Sequence, residues 1–97
     1  MADPHAHLIR HLIARTDGTA SVPQASWRPW CSATFSGARH RIRLAAPLAA
    51  ADWLTEHLEE MEFAIPGHVV AEIALDNVQM QGELLMLDIA ALTVEQA

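Results

Sequence analysis

The sequence predicts a two-layer α+β domain: a four-stranded, mainly antiparallel sheet with two helices on one face, in the order α-ββ-α-ββ. Three observations predict it. Apolar residues recur at helical spacing near the start and again in the middle, an alternating stretch follows Trp30, and the end, from His68 to Val94, is the most apolar part of the chain. The 97 residues are the size of one domain, taken as residues 1–97.

Asp3-Pro4 opens the first helix, pairing an N-cap acceptor with proline at the first helical position. Leu8, Ile9, Leu12 and Ile13 form its apolar stripe, and Gly18 supplies a stop, so a helix is expected over residues 4–15. Residues 16–29 hold Gly18, Pro23 and Pro29 and read as a loop.

The first hairpin is placed at residues 30–45. Cys31, Ala33 and Phe35 alternate with Ser32, Thr34 and Ser36, and His40, Ile42 and Leu44 alternate with Arg39, Arg41 and Arg43. A two-residue turn at Gly37-Ala38 sets Phe35 opposite His40 and Thr34 opposite Arg41, apolar on apolar and hydroxyl on arginine. A four-residue loop has the same parity.

Ala46-Pro47 starts the second helix, residues 47–62, with Leu48, Trp53, Leu54, Leu58 and Met61 inward and Glu56, Glu59, Glu60 and Glu62 in water. Pro66-Gly67 leads into the terminal hairpin, residues 68–94. Its first half alternates, with Val69, Ala71, Ile73 and Leu75 on one side and His68, Glu72 and Asp76 on the other. Its second half is nearly continuously apolar, which suits a central strand; a helix is the rival, because Glu, Leu, Met and Ala favour helices. The preceding strand pattern and Gln81-Gly82 favour a hairpin.

Composition bounds the function. Leu, Ile, Val and Phe number 24, enough for a core, although 18 alanines thin it. No apolar run reaches a membrane span, the start lacks a secretory pattern, and the single cysteine, Cys31, permits no internal disulfide. A cytoplasmic protein is expected. The absence of lysine and tyrosine beside abundant alanine and arginine suggests a GC-rich bacterial genome. Charge is divided along the chain: the first 46 residues carry six arginines and two carboxylates, the remainder no arginine and ten carboxylates. Nucleic acid is not an expected partner for so acidic a whole, nor is a membrane.

Candidate sites are few. Arg41, Arg43 and Asp88 are expected on the sheet face away from the helices, with Trp30 nearby, as a salt-bridged surface or a site for a polar anion. Leu84, Met86, Leu92 and Val94 on the same face would suit burial against another subunit. His7 and His11, on a helix that also carries His5, have the four-residue spacing of two metal ligands, but a polar helix face is the favoured reading. Cys31 and His40 are both expected to face inward, which leaves the thiol an inert core residue. No residue is assigned a catalytic role and nothing points to a cofactor. The favoured expectation is a non-enzymatic, self-associating interaction module, a homodimer. The alternative is an anion-binding domain or small enzyme using Arg41, Arg43 and Asp88.

Overall fold

A computed structural model of the chain describes residues 3–96. It contains α1 (Pro4–Ala14), β1 (Ser21–Cys31), β2 (Ser36–Pro47), α2 (Leu48–His57), β3 (His68–Gln81) and β4 (Leu84–Glu95), with a 3₁₀ turn at Leu58–Glu60. The strands form one antiparallel sheet in the order β1-β2-β4-β3. This is the α-ββ-α-ββ architecture expected. Strand order could not be read from the sequence. Because β4 lies between β2 and β3, those two run parallel, and the α2 connection crosses over β4.

Helix α1 begins as its first residues dictate. The Asp3 carboxylate accepts the backbone N–H groups of His5 and Ala6 at 3.0 and 3.2 Å. Its stripe then buries Leu8 and Leu12 completely. These meet Ile42, Leu44 and Ala46 from β2, Leu85, Leu87 and Ile89 from β4, and Ala51, Leu54 and Leu58 from the second helical segment. Burying one such leucine stabilises the fold by about 2 kcal/mol. Leu48 and Trp53, expected inward, are instead 53% and 40% exposed; the core is reached by Ala51 and Leu54 of α2 and by Leu58 of the 3₁₀ turn. Trp53 stacks with the Arg15 guanidinium 4.8 Å from its ring centre.

The first hairpin differs from the expected one. Residues 21–31, expected partly as loop, are a strand, and the turn is Ser32–Phe35 rather than Gly37-Ala38. Ser32 closes that turn: its N–H donates to the Phe35 carbonyl at 2.8 Å and its hydroxyl accepts the Phe35 N–H at 3.1 Å. His40 therefore lies opposite Trp27, not Phe35, and Arg41 opposite Ser26, not Thr34. Two prolines do not disqualify β1, because it is an edge strand and Pro23 falls in a register shift between Ser21 and Gln24. Gly37 is a strand residue beside the Thr93 carbonyl, which a Cβ at that position would strike. It marks a close backbone approach, not a turn. Cys31 is exposed at the end of β1, so it is not a core thiol.

The terminal hairpin turns at Gly82-Glu83, with Gly82 at φ 63° as its first central residue. Residues 84–95 form a strand, and the helical rival is excluded. The regular alternation expected in β3 is broken by shifts between Val70 and Glu72 and between Leu75 and Asn77. Val69 consequently faces away from the helices opposite Val94, while Val70, Ile73 and Leu75 pack against the core.

Candidate functional site: the open sheet face

Alternation along β2 and β4 sends Ile42, Leu44, Leu87 and Ile89 toward the helices and Arg39, Arg41, Arg43, Asp88, Ala90 and Leu92 the other way. Cross-strand pairing carries that second face outward as rows. Gln24, Arg43, Asp88 and Asn77 make one; Ser26, Arg41, Ala90 and Ala74 the next; Arg28, Arg39, Leu92 and Glu72 the third; Trp30, Gly37, Val94 and Val69 the last. Among the described residues no helix lies over this face.

Because β1 and β2 sit on one side of the sheet and β4 and β3 on the other, the charge division of the chain becomes a division of the surface. Arg28, Arg39, Arg41 and Arg43 occupy one half, and Glu72, Asp76 and Asp88 the other. Among the described residues two ion pairs bridge the seam. Arg43 donates to both Asp88 oxygens, from Nε at 2.8 Å and Nη2 at 3.3 Å, and Asn77 adds a longer bond at 3.5 Å. The hydrogen bond from Arg43 holds the Asp88 carboxyl below its ordinary range, and the same bond raises the guanidinium. Arg41 reaches Asp76 only at 4.0 Å, with both side chains well exposed. Among the described residues Arg28, Arg39 and Glu72 have no ion-pair partner.

The expected site residues are therefore only partly brought together. Arg43 and Asp88 meet, Arg41 stands one row away, and Trp30 lies at the end of the face, roughly 20 Å along the strands from Arg43 at ~3.3 Å per residue. Trp30 instead lines a shallow apolar groove with Phe35, Val69 and Val94. Leu84, Met86, Leu92 and Val94 share the open face; Leu84 is 41% exposed, whereas Leu92 is covered by its neighbours at 8%. Sequence reasoning set Glu72 on the same side of its strand as Asp76 but left Arg28 in a loop. Reading residues 24–30 as a strand would have found Arg28, since Gln24, Ser26, Arg28 and Trp30 alternate. Arg28, Arg39, Arg41, Glu72 and Asp76 border a groove of about 670 Å³ across the sheet.

On the covered face one polar chain interrupts the core. His5 and His40 stack with their Nδ1 atoms 3.0 Å apart, and His40 Nε2 lies 2.9 Å from the Thr93 hydroxyl. The Thr93 hydroxyl has the Ala38 carbonyl as its acceptor at 3.5 Å. That acceptor sets the direction: His40 donates from Nε2 and accepts from His5 at Nδ1. Burial first, and the neighbouring His5 second, push His40 down to about 4. His11 is held elsewhere, its Nε2 3.2 Å from the Ala64 carbonyl, and no group of three or more potential metal ligands gathers among the described residues.

No protein-family model, curated protein or solved structure matches this chain.

Proposed function

We propose that the protein is a small, non-enzymatic interaction module of the bacterial cytoplasm that associates with itself through the open sheet face. The observation that carries this reading is an uncovered face on which β4 contributes Met86, Ala90, Leu92 and Val94 between two fields of opposite charge. Four strands at ~4.8 Å spacing and about eleven residues at ~3.3 Å give roughly 700 Å² per copy. That is close to the ~800 Å² per partner of a stable interface. Across the described residues no helix is long and apolar enough to cross a membrane.

Sedimentation velocity of the wild type beside Leu84→Lys and Met86→Lys tests the reading. A wild-type dimer that both variants shift toward monomer supports it; variants that sediment as the wild-type dimer contradict it. A second reading rests on the Arg28–Arg39 pair. Like charges directly opposite one another are unfavourable, and an anion beside Arg41 would relieve them. In that case the isolated protein would be a monomer that retains or takes up an anion such as inorganic phosphate.

A further inference from the structure

The charge halves select one way for two copies to meet. Two stacked sheets related by a two-fold axis between them, with strands kept near alignment, have two choices of axis direction. An axis across the strands returns the β1–β2 side of one copy onto the β1–β2 side of the other, arginine over arginine and carboxylate over carboxylate. An axis along the strands exchanges the sides, so that β1 lies over β3 and β2 over β4. Only the second brings the basic half onto the acidic half.

We infer that the protein forms a two-fold dimer, open face to open face, with the axis along the strands between β2 and β4, and that Arg28 of each copy pairs with Glu72 of the other; this rests on the self-association proposed above. The rows fix the register. Arg28 and Glu72 end the same row, on opposite edges of the sheet, so the axis superposes each on the other in the second copy. Three strand spacings, roughly 14 Å, separate them within one chain, too far to pair there. The same operation lays the Arg39 stem over Leu92, Trp30 over Val69, and Val94 over Gly37, where no side chain stands in the way. Arg28 and Glu72, without ion-pair partners among the described residues, thus gain opposite charge across the interface.

Charge reversal with mixing tests this. Arg28→Glu and Glu72→Arg each set like charges against one another twice per dimer, and each should weaken homodimers about tenfold or more at low salt. Mixed together, the two variants restore both pairs, so native mass spectrometry should show heterodimers well above the statistical share. Both positions are exposed, and circular dichroism checks that each variant is folded. Should either reversal unfold, Arg28→Gln and Glu72→Gln each weaken the homodimer a few-fold, and their mixture, which restores one of the two pairs, should still favour the heterodimer. A wild-type dimer whose variants associate as tightly as it does, or mix only statistically, overturns this geometry and leaves self-association standing. A wild type that is monomeric, with or without bound phosphate, overturns both.

Discussion

On the helix-covered face, β2 and β4 present Ile42, Leu44, Leu87 and Ile89, each at most 2% exposed; on the other face the same two strands present Arg43 bound to Asp88. The backbone ladder is common to both, so the difference lies in what the side chains meet. Toward the helices, burial of apolar surface decides stability, and the polar chain there is satisfied link by link from His5 to Ala38. Away from them, ion pairs in water add little to folding, and their arrangement bears on which surface they meet.

Substitutions that separate the two faces should therefore differ in kind. Leu87→Ala, in the centre of the covered face, should cost about 3 kcal/mol in chemical denaturation and leave the association of the folded fraction unchanged. Acid should act on the same face. His40 titrates near 4 when folded against an ordinary 6.5, so the unfolded chain takes up the proton first. The contribution of His40 to stability is then full above pH 6.5, falls between there and about 4, and levels off below, a loss of about 3 kcal/mol from this group. His40→Gln should flatten that limb of a pH series. On the open face, Met86→Lys should lower the denaturation midpoint only at protein concentrations where the wild type is associated. Smallest of all, Asp88→Asn should cost less than about 1 kcal/mol, because the pair it breaks is half exposed.

The faces also differed in how legible they were. The inward parity of β2 and β4 stood in the sequence, since Arg39, Arg41 and Arg43 alternate with His40, Ile42 and Leu44, and the facing of a strand survives any error in its partner. The partner was the hard part. Gly37 resembles a turn residue, and only the nearness of the Thr93 carbonyl reveals that the backbone needed its missing side chain. Pro23 and Pro29 resemble loop residues until β1 is known to be an edge. That misreading hid Arg28, one of the four arginines of the basic field. Asp88 was legible as a carboxylate in need of a partner, and Arg43 is that partner. The bulges in β3 were not, because nothing local in Val70-Ala71-Glu72 announces an extra residue. The charge division was plain in the chain, but its meaning depended on strand order, which sets the basic and acidic hairpins side by side.

The most direct test of the open face as a site of self-association is native mass spectrometry of the wild-type protein purified at low salt. The account predicts a bare dimer, at twice the 10.6 kDa chain mass, that dissociates as salt is raised. A monomer at every salt concentration, whether bare or carrying added mass, would contradict it.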